Sequence, residues 1–256
     1  PPDINESFEH FTMIEKGKIR FGLASVKNVG TAIVQAIIEA RERGEKFTSL
    51  TDFLDRVQHK DFNKKSLESL IKCGAIDGLG ERNELLANVD ILLEYNRETE
   101  RAKTRGQDSL FSIMPQAQTA ALRLKNTTAA TKRERLGWEK ELLGLYISDH
   151  PMKEYAEKFA GKRITPLKNI STQLRNQLVT IGGLVSSIQK IVTKSGDPML
   201  FVKMEDLTAR TEVLVFPKIL AKTPDLWQEE KVLFVRGRVS DKDGTAKILC
   251  ENAMEV

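Results

Sequence analysis

The stretch Val26-Lys27-Asn28-Val29-Gly30-Thr31 decides how the first third of this chain folds. Two apolar residues three positions apart precede a glycine, and apolar side chains then recur every three or four residues. The pattern predicts a helical turn over 21–26, a tight hairpin, and a helix that Thr31 caps and Gly44 stops. Asn28 and Gly30 both tolerate a left-handed backbone, which the hairpin is expected to need.

Three more helices follow from the same spacing. Ser49 and Asn63 are expected to cap two of them, and the second of these stops at Gly74. A further helix is expected over 81–97. Short amphipathic helices with glycine-containing links predict a compact all-helical domain.

The predicted helix start after Gly30 offers backbone N–H groups to an anion. Phosphate binding there would read no base, so it would be independent of sequence and sensitive to salt. A looser second copy occurs at Ile71-Lys72-Cys73-Gly74-Ala75-Ile76. An ordinary helix–turn–helix connection explains one such hairpin equally well, but two in tandem favour DNA binding. The charge agrees, because residues 16–65 hold eleven Lys and Arg against six Asp and Glu.

The composition predicts a soluble chain with two modest domains or one large one. Of 256 residues, 30% are charged and 40% are hydrophobic, and the net charge is +4. No apolar run approaches the roughly 20 residues that span a membrane, and no signal peptide is recognisable. Two cysteines, Cys73 and Cys250, are too few for a disulfide framework, which favours a reducing cytoplasm. Because the chain begins Pro1-Pro2-Asp3 without Met, we expect a piece of a longer polypeptide.

Helical periodicity fails after Arg97, so residues 103–133 are expected to form a linker. It contains Gln107-Asp108-Ser109-Leu110-Phe111. An exposed Leu-Phe pair suits an apolar pocket on a partner, with Gln107 as a hydrogen-bonding anchor. The alternative is that Leu110 and Phe111 fold back onto the helical domain.

A helix over 134–146 is expected next, ending at Asp149-His150-Pro151. The neighbouring Asp149 and His150 could form an acid–base pair. A helix end followed by proline explains them better.

From Gln177 the apolar period changes from 3.6 to 2, which predicts strands. They are expected at 178–191, 199–205, 211–216, 231–239 and 245–253, with a short helix over 217–227. Three strands, a helix and two strands are the order of a five-stranded OB-fold barrel. Gly182-Gly183 inside the long first strand predicts a bend or bulge there.

Barrels of this kind often bind single strands by stacking bases on aromatic side chains beside basic ones. The candidates for this role are Lys190, Lys194, Phe201, Lys203, Arg236 and Arg238, with Phe216 and Phe234 as further aromatics. The alternative is that the strand aromatics belong to the core. Residues 176–256 carry eleven basic and eleven acidic side chains, so binding there is expected to be weak or to need a partner.

No catalytic constellation is recognisable in the sequence. Metal-assisted phosphoryl transfer needs convergent carboxylates, and the one Asp-x-Asp pair, Asp241 and Asp243, lies in a predicted hairpin turn. Phosphate-binding glycine loops, zinc spacings and nucleophile elbows are absent from the sequence. We expect no catalytic residue, no metal site and no cofactor in this segment.

Several blocks, in order along the chain, resemble one family. They are residues 1–7, Ile19-Arg20-Phe21-Gly22-Leu23, Lys27-Asn28-Val29-Gly30, residues 68–77, Glu141-Leu142-Leu143-Gly144-Leu145-Tyr146-Ile147-Ser148-Asp149-His150-Pro151, and residues 193–199. With these blocks the chain resembles the alpha subunits of bacterial DNA polymerase III. The resemblance implies the end of a fingers region at 1–16 and a tandem helix-hairpin-helix domain at 17–102. Connecting helices at 134–176 and an OB-fold domain at 177–256 would follow the linker.

The resemblance also implies partners. The hairpins would hold duplex DNA through Lys27, Asn28, Val29, Gly30, Thr31, Lys72 and Gly74, and the barrel would lie near single-stranded template. Gln107, Asp108, Ser109, Leu110 and Phe111 match the family's internal motif for the sliding clamp, the beta subunit. The catalytic palm with its Mg²⁺, and the sites for other replicase subunits, belong to family regions outside this chain.

We therefore expect a non-catalytic, DNA-handling segment of a replicative polymerase that is cytoplasmic and nucleoid-associated. Two alternatives come from other classes. One is an RNA-binding barrel such as the anticodon-binding appendage of a synthetase, and the other is a protein-interaction scaffold. A preference for structured RNA over duplex DNA would favour the first alternative, and absence of salt-dependent nucleic-acid binding the second.

Overall fold

The computed structural model describes residues 1–104 and 122–256. The chain divides into two compact units, Pro1–Asp149 and His150–Val256. Each unit has a hydrophobic core of its own. Within the described part, no helix combines the length and the apolar character that crossing a membrane requires.

The first unit consists of helices packed around one apolar core. The helices are α1 (Thr31–Gly44), α2 (Leu50–Arg56), α3 (Lys64–Lys72), α4 (Arg82–Ala87), α5 (Val89–Thr104) and α6 (Lys132–Leu143). The first five each place apolar side chains in that core, among them the fully buried Ile37, Phe53, Leu67 and Leu92, and α6 adds Leu142. This confirms the predicted helical domain.

Two of the predicted helix caps are present and one is wrong. The Ser49 hydroxyl accepts the N–H of Asp52, and Asn63 forms a reciprocal capping box with Ser66. Thr31 was expected to cap α1, but the capping position is Gly30 and no side chain bonds the helix start. The helical turn expected at 21–26 is a single 3₁₀ turn over Leu23–Ser25.

The helix expected over 81–97 is two helices, because Asn88 interrupts it. The Asn88 side chain donates to the carbonyls of Glu84 and Lys125 and accepts the Lys125 N–H at 2.9 Å. The second helix continues past Arg97 to Thr104. Polar contacts to α2 hold this extension, because Lys103 Nζ donates to the Asp55 carbonyl at 2.6 Å.

Residues 122–130, which the sequence predicted to lie in the linker, run along the helical core. Leu122 and Leu124 pack partly buried against it. Thr131 and Glu134 then form a capping box that starts α6 two residues earlier than expected. The helix ends at Gly144, which has φ 76°, and not near Asp149.

A two-stranded antiparallel ribbon that the sequence did not predict precedes these helices. Its strands are β1 (Thr12–Glu15) and β2 (Lys18–Arg20), joined through Gly17 with φ 83°. Strands of three and four residues are too short for a period of two to be recognised.

The second unit contains the predicted five-stranded OB-fold barrel. Its strands are β3 (Leu178–Val192), β4 (Pro198–Glu205), β5 (Arg210–Val215), β6 (Val232–Ser240) and β7 (Lys247–Glu255). They close in the order β3-β4-β5-β7-β6, and only the β5–β7 pair is parallel. Alternate strand residues fill the interior, for example Ile181, Val202 and Val235.

Short helical turns flank the barrel strands. Residues before β3 form 3₁₀ turns at Pro151–Tyr155, Leu167–Asn169 and Thr172–Leu174 and the short helix α7 (Ala156–Phe159). The single helix expected over 217–227 is α8 (Pro217–Leu220) followed by a 3₁₀ turn at Pro224–Leu226.

The bulge in β3 lies beyond the two glycines, between Val185 and Ser187. The glycines serve close packing instead. The Phe159 ring occupies the space where a Cβ on Gly182 would lie, and the Glu205 carbonyl would be 2.9 Å from a Cβ on Gly183. The predicted position of the bulge was therefore wrong by a few residues.

Candidate nucleic-acid interfaces

The two apolar residues of the first hairpin anchor it to the helical core. Val26 and Val29 are buried in the core, and the Val29 N–H donates to the Val26 carbonyl at 3.1 Å. Asn28 between them has φ 68°, which confirms the expected left-handed residue. Gly30 does not share that conformation, because its φ of −73° and ψ of 152° are extended.

The start of α1 leaves backbone donors without acceptors. The Ile33 and Val34 N–H groups both donate to the Gly30 carbonyl. Within the described residues, the N–H groups of Gly30, Thr31 and Ala32 have no protein acceptor, and no side chain caps the helix. The first turn also lacks an acidic residue. Unpaired donors, the helix dipole and the absence of a competing carboxylate together make a site that can accept an anion.

Solvent reaches this helix start. Lys27, Asn28, Gly30 and Thr31 are exposed. The Lys27 backbone N–H is not free, because it donates to the Leu142 carbonyl of α6 at 3.0 Å. Lys27 can therefore contribute only its ammonium group, and the bond to α6 holds the hairpin in place.

The second hairpin differs, because Gly74 ends α3. Gly74 is buried with φ 83°. Its N–H donates to the Ile71 carbonyl and that of Ala75 to the Leu70 carbonyl, both at 3.0 Å. This is a Schellman C-cap. Gly74 has no free donor for a phosphate, and the Lys72 carbonyl accepts from Arg82 Nη1 at 2.9 Å.

A carboxylate already occupies the helix start of the second hairpin. Glu81 caps α4 by accepting the Glu84 N–H at 3.1 Å, and its other oxygen accepts the Ala130 N–H at 2.8 Å. Desolvation would raise the pKa of Glu81, but the backbone hydrogen bonds from Ala130 and Glu84 outweigh it and lower the pKa. The carboxylate therefore stays charged and would repel a phosphate there.

The predicted duplex residues thus separate into two groups. Lys27, Asn28, Gly30 and Thr31 lie together at an uncapped helix start, above the buried Val29. Lys72 is half-buried and Gly74 is buried beside Arg82, at a hairpin whose donors are used internally. Gln107, Asp108, Ser109, Leu110 and Phe111 lie outside the described residues.

The residues predicted to bind single-stranded DNA also fall into two groups, one on the face formed by β3, β4 and β5 and one elsewhere on the barrel. The register places Gln189, Phe201 and Leu214 in one row on the barrel exterior, with Ser187, Lys203 and Glu212 in the next row. Phe201 is half-exposed and Lys203 is exposed. These rows bring an aromatic ring and a lysine together on β3, β4 and β5.

Lys247 belongs to the same face, although the sequence did not point to it. Its Nζ lies 5.7 Å from the centroid of the Phe201 ring. The hydrogen bonds that Lys247 donates to the Glu212 and Asp243 carboxylates raise its pKa. Lys247 reaches this face because β5 and β7 pair in parallel, with Glu212 opposite Lys247.

The remaining cations lie elsewhere. Arg236 and Arg238 are on β6, which pairs with β3 and β7 and not with β4. Arg238 binds Glu251 at 2.9 Å. Lys190 lines a cavity of about 570 Å³ with Pro217 and Trp227, and Lys194 is in the turn between β3 and β4.

The other aromatics contribute unequally to the barrel surface. Phe216 is 41% exposed just after β5. Phe234 is buried, since the Phe159 ring packs against it at 5.0 Å and Lys162 Nζ lies over it at 4.1 Å. Phe234 therefore cannot stack a base in this conformation.

The described residues contain no group of three or more His, Cys, Asp or Glu side chains that could hold a metal ion. Burial raises the pKa of the Cys73 and Cys250 thiols to about 12, so neither is a thiolate at neutral pH. His150 Nδ1 accepts the Met152 N–H at the start of a 3₁₀ turn, and Asp149 pairs with Lys132 at 2.8 Å. Both residues lie beyond the end of α6 at Gly144, so the helix end expected at Asp149-His150-Pro151 was wrong, and His150 instead caps a 3₁₀ turn.

Comparisons with known proteins agree with both folds. A family model described as "Helix-hairpin-helix motif" matches residues 1–85, and one described as "OB-fold nucleic acid binding domain" matches residues 179–256. DNA polymerase III subunit alpha of Saccharopolyspora erythraea is 35% identical, over 100% of this chain and 22% of that protein. The same subunit of Pseudomonas aeruginosa is 36% identical over 94% of this chain and 22% of that protein. The chain belongs to the DNA polymerase III alpha-subunit family. A third member, from Vibrio cholerae, is 31% identical over 100% of this chain.

The chain spans about a fifth of the length of these family members. The matched part holds the helix-hairpin-helix region and the closed barrel. The second of these domains is of a nucleic-acid-binding class.

Proposed function

We propose that this chain is the DNA-handling segment of a replicative polymerase and binds duplex DNA without reading its sequence. The observation that carries the proposal is the uncapped start of α1, where Gly30, Thr31 and Ala32 keep free N–H groups among the described residues. A phosphate there would accept two or more of these hydrogen bonds and meet the positive end of the helix dipole. The Lys27 ammonium would add charge attraction.

The two hairpins are proposed to have different roles. The first contacts DNA, because its helix start has no internal anion. The second has its Gly74 and Ala75 N–H groups bonded to the Ile71 and Leu70 carbonyls, and Glu81 caps its helix start. It keeps α3 and α4 in position and makes at most side-chain contacts through Lys72.

A titration of the chain with labelled duplexes of scrambled sequence tests this proposal. We expect affinities that agree between sequences and a log–log salt slope of about −0.9 for each phosphate neutralised. Structured RNA of equal charge serves as the competitor. Tighter binding to RNA than to duplex DNA, or binding that salt does not change, would contradict the proposal.

A second proposed activity is tethering to the sliding clamp through Gln107, Asp108, Ser109, Leu110 and Phe111. The support is the family membership and the match of these residues to an apolar clamp-binding motif. The described residues on either side of this motif are bonded to the helical core, since Lys103 donates to the Asp55 carbonyl and the Lys125 N–H donates to Asn88. A pull-down of purified clamp with this chain tests the tether, and failure of the clamp to bind would contradict it.

A third proposed activity is weak binding of single-stranded DNA by the barrel face around Phe201 and Lys203. The support is the nucleic-acid-binding class of the matched domain and the exposed aromatic ring beside lysines. Lys247 is held by Glu212 and Asp243, so the face has little surplus charge. We expect its affinity to be low unless duplex binding or the clamp brings the strand close.

The parent protein is proposed to be a DNA-directed DNA polymerase, a nucleotidyltransferase that acts in bacterial DNA replication. Its Mg²⁺-dependent chemistry and its contacts with other replicase subunits would lie in the four-fifths of the polypeptide outside this chain. This segment would contribute no catalytic residue. The proposed location is the cytoplasm, at the nucleoid. Single-nucleotide incorporation by the full polymerase, measured at saturating primer-template, should be unchanged by substitutions at Thr31 that weaken DNA binding.

A further inference from the structure

The ribbon of β1 and β2 presents an exposed apolar face. Met13 and Ile19 are paired across the two strands and are 71% and 66% exposed. Phe11 continues the same face with 55% exposure, and its ring lies 4.6 Å from that of Phe21. Four apolar side chains therefore form one continuous strip, which we call the ribbon face (Phe11, Met13, Ile19 and Phe21).

The base of the ribbon is held firmly, whereas its far end has few contacts. The Leu23 and Ala24 N–H groups donate to the Phe8 and Glu9 carbonyls at 2.9 and 3.1 Å. The Ser7 hydroxyl donates to the Phe21 carbonyl at 2.7 Å. Beyond this base the ribbon has only two strands, and a two-stranded ribbon is marginally stable in water unless its apolar face is covered.

The chemistry of the ribbon face argues against a nucleic-acid partner. None of its four residues carries charge. Two of the neighbouring cations are already paired, because Lys18 lies 2.9 Å from Glu15 and Arg20 pairs with Glu6. A contiguous apolar strip of this kind is the usual mark of a protein contact.

The length of the family members indicates which protein can supply the surface that contacts the ribbon face. This chain covers 22% of the Saccharopolyspora erythraea and Pseudomonas aeruginosa subunits, so most of the polypeptide lies outside it. We infer that the ribbon face packs against an apolar surface in the remainder of the same polypeptide and fixes the helical unit to the rest of the polymerase. This inference rests on family membership and not on the proposed phosphate site, so the two can fail separately.

Methionine oxidation measures the contact directly. Met13 is oxidised in the isolated 256-residue chain and in the full-length polypeptide, with a free methionine peptide as the rate standard. We expect Met13 to react rapidly in the isolated chain and about tenfold more slowly in the full-length protein. Equal rates would overturn the inference.

Two further measurements of Met13 oxidation test whether a second copy of the chain or duplex DNA covers the ribbon face instead. Protection of Met13 that appears in the isolated chain and grows with its concentration would indicate a second copy and overturn the inference. Protection that appears in the full-length protein only after duplex DNA is added would indicate DNA and also overturn it.

Variants complete the test. M13D with I19D should leave the Tm of the isolated chain unchanged, since both side chains are exposed there, and should lower the Tm of the full-length protein. Val192→Asp is the matched control, because Val192 is 67% exposed on a strand of the barrel. An equal Tm loss from the control and from the double variant in the full-length protein would overturn the inference.

Discussion

Arg82 and Asp77 form a two-pronged ion pair, with Nε to Oδ1 at 2.8 Å and Nη2 to Oδ2 at 2.7 Å. The same guanidinium donates to the Lys72 carbonyl and lies against the face of Gly74 where a Cβ would be. A side chain 95% removed from solvent therefore closes the second hairpin. The first hairpin has no equivalent guanidinium. Its free amides have a separate cause, because no side chain caps α1, whereas the Glu81 carboxylate caps the start of α4.

Removal of this guanidinium should destabilise the helical unit. We expect Arg82→Ala to lower the free energy of unfolding by about 2–4 kcal/mol, because the Lys72 carbonyl loses its donor and the packing around Gly74 opens. Urea denaturation followed by circular dichroism measures this loss. Arg101→Ala on the exposed part of α5 is the control and should change stability by less than about 0.5 kcal/mol.

A single negative charge at α1 should weaken duplex binding without loss of fold. Thr31→Glu places a carboxylate over the free amides, so it competes with phosphate while favouring the helix dipole by about 0.3–1 kcal/mol. Duplex binding should weaken and the salt slope should fall by about one phosphate contact. Lys27→Glu should act in the same direction.

Gly78→Glu is the matched control for Thr31→Glu. Gly78 is exposed in the second hairpin, and a Cβ there meets no atom within 4 Å. We expect little change in duplex affinity. Equal weakening by both variants would mean that the second hairpin contacts phosphate as well.

The clamp tether should depend on two apolar side chains. L110A with F111A should remove clamp binding and leave duplex binding nearly unchanged, because the apolar pair would fill the pocket on the clamp. Surface plasmon resonance with immobilised clamp measures the first, and duplex titration the second. I113A with M114A removes comparable apolar volume just outside the motif, and clamp binding by this control should persist.

Stacking on the barrel should be confined to the face that carries Phe201. Phe201→Ala should cost about 1–3 kcal/mol of affinity for a single-stranded oligonucleotide. Arg236→Ala removes a cation on β6 and should cost less. If Arg236→Ala weakened binding more than Phe201→Ala, the strand would follow β6 and not the β3–β5 face.

The barrel should lose stability in acid because of Asp206. Desolvation would raise the pKa of Asp206, but hydrogen bonds from the Leu167, Thr208 and Ala209 backbones and the Thr208 hydroxyl lower the pKa below its usual 3.8. A carboxyl with a depressed folded pKa stabilises the fold above the unfolded pKa, and this stability is lost as pH falls through the folded pKa. Thermal melts below pH 4 should therefore show a decline that is smaller in Asp206→Asn.

Local patterns in the sequence predicted the helices, two of the caps and the five barrel strands. What they missed depends on residues far apart in sequence. The break at Asn88 requires Lys125, and the lowered pKa of Glu81 at the start of α4 requires the Ala130 N–H. Lys247 joins the Phe201 face only through a parallel pairing, which no periodicity reveals.

The chain on either side of residues 105–121 is bound into the same core. Before this segment, Lys103 donates to the Asp55 carbonyl. After it, the Lys125 N–H donates to the Asn88 side chain. Further along, the Leu142 carbonyl accepts the Lys27 N–H. Residues 122–130, which form neither helix nor strand, and the helix α6 thus complete the core of the helical unit. Because both flanks contact one core, we expect the two parts of the helical unit to stay associated when the peptide chain is cleaved between residues 105 and 121.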